Sequence, residues 1–290
     1  MFRILHFSDY HVWRARGMDG DWAIKRVLGR LNLWLRRARQ YPPEWGHKVL
    51  EAILASEADF VVFSGDATSA ALRSEFEEAR RLFAPLRARW GDRFIAIPGN
   101  HDRYTRRATR AALFEQFLSD AGAPALPYAR TLVPGAIGLA ALDVSVYRPL
   151  TSRGRVTPAQ IEHFAALIRA QREITPFVIA LGHYPLAYPP GIPAKWQHAL
   201  PRREQLLAAI AGAGASLYLH GHKHNRWVLR PVAGSPLTCV NPGSAGLKSD
   251  DPARAAGFVT IRIHPPQIVS IQASVIVSGP RSLMIESRPL

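Results

Sequence analysis

Cysteine is almost absent: Cys239 is the only one in 290 residues. A single thiol forms no internal disulfide and excludes a multi-cysteine metal site. Its setting, Leu237-Thr238-Cys239-Val240, reads as a small buried position. Long apolar runs are missing too. None reaches the ~18 residues a spanning helix needs. No apolar leader precedes the strand pattern that begins at Arg3, so the expected location is cytoplasmic. Negative charge is scarce: 22 acidic residues face 37 Lys and Arg, a formal charge of +15. Such a field draws nucleotides, nucleic acid, acidic lipid headgroups or phosphate esters, and does not choose among them. A nucleic-acid partner rests on that charge alone. No internal repeat or low-complexity block is visible.

What the chain does have is 48% hydrophobic residues, ample for a core in one large domain or two smaller ones. Short β-branched or aromatic runs alternate with helical patterns. Strands are expected at 3–8, 59–64, 93–97, 137–144, 176–181 and 216–219. Helices are expected at 46–57, 74–90, 105–120, 157–171 and 202–212. From 226 to 276 the pattern changes to short strands and turns, and 277–290 reads as a tail. The expected organisation is one α/β domain over 1–276 with a helical insertion or cap at 12–57.

Within that insertion, 23–40 is amphipathic. Ile24, Val27, Leu28, Leu31, Trp34 and Leu35 share one face, with arginines around it. The helix can pack on the core, roof a pocket, or lie on an anionic membrane at the inner surface. Residues 184–201 are rich in proline and aromatics, which suits a substrate rim that includes Tyr184. Arg103, Arg106 and Arg107 after the central motif, and Arg153 in a basic loop, are candidate anion contacts.

The chemistry gathers at strand ends. Several apolar strands stop at Gly or Ser and are followed at once by His, Asp or Asn. The places are Ser8-Asp9-x-His11, Gly65-Asp66, Gly99-Asn100-His101-Asp102, Gly182-His183 and Gly221-His222-x-His224. In alternating α/β chains the carboxyl ends of strands share one edge, where ligands bind. At a spacing of two, extended side chains point the same way, so Asp9 and His11 are expected to reach one point. Mixed nitrogen and oxygen donors suit Mn, Fe or Zn rather than a calcium cage. Seven donors are too many for one metal with an open position and suit two that share a carboxylate.

The ordered set, Asp-x-His, Gly-Asp, Gly-Asn-His-Asp, Gly-His and Gly-His-x-His, resembles the calcineurin-like metallophosphoesterases. That resemblance spans residues 9–224 and implies a four-layer αββα sandwich, two mixed sheets flanked by helices. It implies a first metal on Asp9, His11 and His224, and a second on Asn100, His183 and His222. Asp66 would bridge them, with manganese the favoured ion. It further implies metal-activated water attacking a phosphoester, and His101 stabilising the phosphorus or protonating the leaving group. Many relatives orient that histidine with an Asp three residues after the bridging Asp. Here that position is Ser69, so Asp102 is the expected orienting partner.

Gly65-Asp66 lacks the Asp-Arg-Gly that follows it in phosphoprotein phosphatases. The small bacterial-type phosphodiesterases are closer. Among them the chain is similar to hydrolases of nucleotide-lipids such as UDP-2,3-diacylglucosamine, and to cyclic-nucleotide phosphodiesterases. A metal-poor scaffold on the same fold is the alternative of another class.

Overall fold

The computed structural model describes residues 1–13, 38–119, 124–279 and 282–290. The amphipathic pattern at 23–40 therefore lies outside the described residues, apart from a helical turn at Ala38–Gln40. The first half alternates strand and helix. It comprises β1 (Phe2–Phe7), α1 (Pro43–Ala55), β2 (Phe60–Phe63), α2 (Arg73–Trp90) and β3 (Phe94–Ala96). Two short helices follow, α3 (Arg106–Arg110) and α4 (Leu113–Leu118), then β4 (Tyr128–Val133) and β5 (Ile137–Ala141). The second half runs α5 (Pro158–Ile174), β6 (Phe177–Leu181), α6 (Arg203–Gly212), β7 (Leu217–Leu219), β8 (Arg226–Leu229) and β9 (Thr238–Pro242). It closes on β10 (Gly257–His264), β11 (Gln267–Ser278) and β12 (Leu283–Pro289).

These strands build two mixed sheets, ordered β12-β11-β10-β1-β2-β3 and β4-β5-β6-β7-β9-β8. In β1 the side-chain period of two sorts residues by layer. Ile4 enters the apolar layer between the sheets, while Leu5 and Phe7 face the helices. In β2, Phe60 and Val62 point inward; Val61 and Phe63 point outward. The second sheet contributes Leu139, Ile179, Leu181, Leu219 and Val240 to the shared layer. Helices α1 and α2 cover the outer face of the first sheet, and α5 and α6 that of the second. The result is the four-layer αββα sandwich.

Local chemistry sets the helix starts. Thr157 Oγ1 accepts from the Gln160 N–H at 3.2 Å, and the Gln160 side chain accepts from the Thr157 N–H at 2.9 Å. Pro158 occupies the first turn, where a missing N–H removes nothing. At α2 the buried Glu75 carboxylate accepts from the N–H groups of Ala70 and Leu72.

Three expectations need correction. The helix expected over 105–120 is broken at Ala112, whose φ of 47° is left-handed. Residues 46–57, taken as part of a cap, fall largely on α1, whose Trp45, Val49 and Ile53 pack into the core. The expected tail at 277–290 holds β12, an edge strand paired antiparallel to β11 from Gln272↔Pro289 to Ser278↔Leu283. Its alternation is weak because Glu286 and Arg288 face solvent on an outer strand.

Phe83 of α2 is fully buried among Phe7, Tyr10, Phe63 and Phe94, with ring centroids 5.2–6.1 Å away. Phe83→Ala is expected to lower the unfolding free energy by about 3–5 kcal/mol in urea denaturation.

Candidate metal centre

All the parallel strands of both sheets end at one edge, and the polar residues that follow them meet there. Asp9 and His11 follow β1, Asp66 follows β2, and Asn100 follows β3. His183 follows β6, and His222 and His224 follow β7. One side-chain donor atom from each of Asp9, His11, Asp66 and His224 lies within 4.8 Å of the others. Asp66, His183 and His222 form a second such group. Asn100 joins it: its Oδ1 is 2.6 Å from His222 Nδ1 and 3.2 Å from His183 Nε2. Asp66 belongs to both groups.

The means of convergence differs from the expectation. Asp9 and His11 are not extended; their φ values are 54° and 55°. Asp66, His222 and His224 are also left-handed, at 62°, 75° and 51°. This backbone costs roughly 1–3 kcal/mol per non-glycine residue and gathers at functional sites. Glycines make the approach possible. Gly65 has a φ of 107°, and a Cβ there would stand 2.8 Å from His183 Nδ1. A Cβ on Gly221 would overlap Ser8 and the Asp9 carboxylate.

Hydrogen bonds turn the donors inward. His11 Nδ1–H donates to the Thr68 carbonyl at 3.2 Å, and His183 Nδ1–H to the Ser64 carbonyl at 2.8 Å. His222 Nε2–H donates to the His198 carbonyl at 2.7 Å. In the neutral form of each ring the remaining nitrogen therefore turns a lone pair to the cluster. His11 Nε2 and His224 Nε2 face each other at 3.1 Å. The carboxylates follow the same rule. Asp9 Oδ2 accepts from the His222 N–H at 2.9 Å, and Asp66 Oδ1 from the His101 N–H at 2.7 Å. The other oxygens, Asp9 Oδ1 and Asp66 Oδ2, are buried and face only imidazole nitrogens of the cluster, His224 Nε2 at 3.1 Å and His183 Nε2 at 3.4 Å among them. Two clusters of inward lone pairs around buried carboxylate oxygens fit a pair of cations.

The electrostatics agree. Burial alone would raise the Asp9 carboxyl, but the charge and hydrogen bond of His224 outweigh it and hold it well below the usual range. Asp66 is lowered in the same way by His183, His101 and His11 against its burial. Burial opposes the charge on His183, yet Asp66 pushes it up to about 9. The site demands positive charge.

Sequence reasoning missed several supports. Tyr41 Oη shares a 2.6 Å hydrogen bond with His224 Nδ1, and its ring meets the His11 ring edge-on at 5.1 Å. Ser244 Oγ donates to the Asp9 carbonyl at 2.6 Å, and Asn241 Nδ2 donates to the Gly221 carbonyl at 2.8 Å. The Asn241-to-Ser244 turn thus buttresses two of the ligand-bearing loops. Tyr41 precedes Pro42-Pro43, which in sequence signals only a helix end.

Other residues differ from their expected roles. Asp102 does not orient His101. Its carboxylate accepts from the N–H groups of Asp66, Ala67, Thr68 and Gly99 and from the Thr68 hydroxyl, so it organises the loop. Burial pushes its carboxyl up to about 6, the Asp66 charge adds to the rise, and the N–H groups oppose it. His101 is oriented by the backbone: Nδ1 lies 2.7 Å from the Ser69 carbonyl, and the ring stacks on Tyr104. Arg103 is no substrate contact, because it is buried and paired with Glu115 and Asp143. Tyr184 is buried beneath the rim rather than on it. Its hydroxyl donates to the Ser152 carbonyl, and its ring lies 4.4 Å from that of His222. Arg106 and Arg107 are exposed, Arg106 lying over Tyr147, and Arg153 lies over the exposed Trp196. His6 and His220 are fully buried side chains, His6 against Ser64 Oγ at 2.9 Å.

Residues 2–226 match the family model of the calcineurin-like phosphoesterases. No curated protein matches the chain in sequence. Among solved structures it resembles a dimetal phosphatase from Danio rerio, at 14% identity and a TM-score of 0.64, over 99% of this chain and 96% of that one. It resembles the purple acid phosphatase PPD1 of yellow lupin at 14% identity and 0.61, over 94% of this chain and 51% of that one. GAP50 of Plasmodium, described as an anchor in the inner membrane complex, matches at 12% and 0.55, over 100% and 88%. At these identities the likeness is one of fold.

Asp102→Ala leaves several buried N–H groups without a partner. It is expected to lower the unfolding free energy by about 3 kcal/mol or more, read from a urea transition. Wild-type stability in that variant would contradict the loop-organising role.

Proposed function

The chain belongs to the calcineurin-like phosphoesterase family. From that premise we propose that it hydrolyses a phosphodiester or diphosphate bond at a centre of two divalent ions. Asp9, His11 and His224 would hold one ion, and Asn100, His183 and His222 the other, with Asp66 shared. One observation carries the reading: two groups of inward donors meet on Asp66. A single ion would leave one group unfilled. The mixed donors suit Mn, Fe or Zn, and manganese is favoured.

When bound, the ions supply an activated water and neutralise phosphoryl charge. The chain's own residues do the rest. His101 Nδ1–H donates to the Ser69 carbonyl, which fixes the ring so that Nε2 is the nitrogen through which it would pass a proton to the departing oxygen. The backbone N–H of His101 holds one oxygen of Asp66 so that the other turns inward. His101, His222 and His224 are partly exposed, which leaves one side open to substrate, whereas Asp9, His11, Asp66 and His183 form a buried floor. The exposed Arg106 and Arg107 and the half-buried Arg153 are read as cations that draw an anionic substrate toward the protein.

The substrate is read as a nucleotide-lipid such as UDP-2,3-diacylglucosamine, met at the cytoplasmic face of an anionic membrane through residues 23–40. No described helix is long and apolar enough to cross a membrane. A cyclic nucleotide is the second reading, favoured by His101, since some lipid-pathway relatives carry arginine at that place. A scaffold role would not require seven converging donors.

The manganese-loaded protein is expected to hydrolyse bis-p-nitrophenyl phosphate, and Asp66→Ala or Asn100→Ala to abolish the reaction. His101→Asn is expected to lower kcat by about 10²–10⁴-fold while metal content stays unchanged. Full turnover by Asp66→Ala would overturn the proposal. Offering UDP-diacylglucosamine, cAMP, ATP and short single-stranded DNA to one preparation separates the substrate readings.

A further inference from the structure

Two large apolar side chains stand in water beside the candidate centre. Leu150 is 94% exposed and Trp196 is 61% exposed. A single exposed leucine means little. These two belong to one built surface. The Ser152 N–H donates to the Gln197 carbonyl at 3.0 Å, and Ser152 Oγ lies 2.6 Å from His198 Nδ1. The Arg153 guanidinium lies over the Trp196 ring, 5.5 Å from its centroid. Leu150 and Trp196 are each within two residues of this joint, so the two loops present a single stretch of surface. That stretch borders the candidate centre. The His198 carbonyl accepts from His222 Nε2–H at 2.7 Å, and Tyr184, whose ring packs on His222, donates its hydroxyl to the Ser152 carbonyl.

The charge around the two apolar tips has one sign. Segments 144–156 and 184–203 hold Arg148, Arg153, Arg155, Lys195, Arg202 and Arg203 and no acidic residue. Arg148, Arg155 and Lys195 are exposed. This arrangement narrows the partner. Side chains as exposed as Leu150 and Trp196 enclose no small ligand; they need a partner that arrives as a surface. The core of a protein–protein interface is depleted of charge, whereas here cations flank each apolar tip. A bilayer offers both layers at once, anionic headgroups outside and acyl chains just beneath, and tryptophan favours the boundary between them.

We propose that Leu150, Trp196 and the cations around them form a docking surface for an anionic lipid bilayer. Leu150 and Trp196 enter the boundary between headgroups and acyl chains, while Arg148, Arg155 and Lys195 meet lipid phosphates. The contact is separate from the amphipathic segment at 23–40 and does not depend on the hydrolysis reading. It turns the rim of the candidate centre toward the lipid.

Full-length protein is mixed with vesicles of phosphatidylcholine alone, or of equal parts phosphatidylcholine and phosphatidylglycerol. It is expected to sediment with the second and not the first. Leu150→Ser, a change that adds no charge, is expected to weaken that binding about tenfold. Lipids brominated near the headgroup quench tryptophan emission in the bound protein, and Trp196→Phe removes part of that quenching. Equal affinity of Leu150→Ser and wild type, or quenching unchanged by Trp196→Phe, would overturn the surface, including where 23–40 alone carries the protein to the vesicle. A dimer lost in Leu150→Ser would assign the patch to a second copy. A single-stranded DNA oligonucleotide bound through Trp196, with no vesicle binding, would assign it to nucleic acid; either result also overturns the proposal. Docking without hydrolysis of bis-p-nitrophenyl phosphate sinks the phosphoesterase reading alone, and hydrolysis without docking sinks this surface alone.

Discussion

Two carboxylate oxygens, on Asp9 and Asp66, lie in a buried floor facing imidazole nitrogens of the cluster, His224 Nε2 at 3.1 Å and His183 Nε2 at 3.4 Å, with no backbone or hydroxyl donor on them. A buried charge left this way is strongly unfavourable unless a cation meets it. Much of the surrounding structure serves that constraint. Backbone N–H groups hold the opposite oxygens, and carbonyls of Thr68, Ser64 and His198 hold the far sides of three imidazoles. Five residues of the cluster adopt left-handed backbone to bring their side chains inward. The two packed sheets supply the rigidity that such strain needs, since their shared apolar layer lies directly below the strand ends.

The fold was legible where local signals and burial agree. The runs Phe60–Phe63 and Phe177–Leu181 are apolar throughout because they are covered on both faces. Helix α5 announces itself by Thr157-Pro158 and its apolar stripe. β4 and β12 escaped notice because they are edge strands with half-exposed, mixed faces. The break at Ala112 escaped too, because alanine carries no sign of a left-handed turn.

The candidate site was legible as residue types at strand ends, and its ordered motifs pointed to one family. Its mechanics were not. A strand-like alternation at Asp9-x-His11 would serve the same sequence, yet the chain uses two left-handed residues. Ser69 looked like a gap in the support of His101, whereas its carbonyl supplies that support. A main-chain carbonyl belongs to every residue and leaves no mark on sequence. Asp102 illustrates the converse: a carboxylate beside a catalytic-looking histidine spends its acceptors on N–H groups of its own and the neighbouring loop.

The central claim is that these donors hold a pair of cations sharing Asp66. Anomalous diffraction from a manganese-soaked crystal tests it most directly. The account predicts two peaks about 3.5–4 Å apart on either side of the Asp66 carboxylate. A single peak, or none near Asp66, would contradict it.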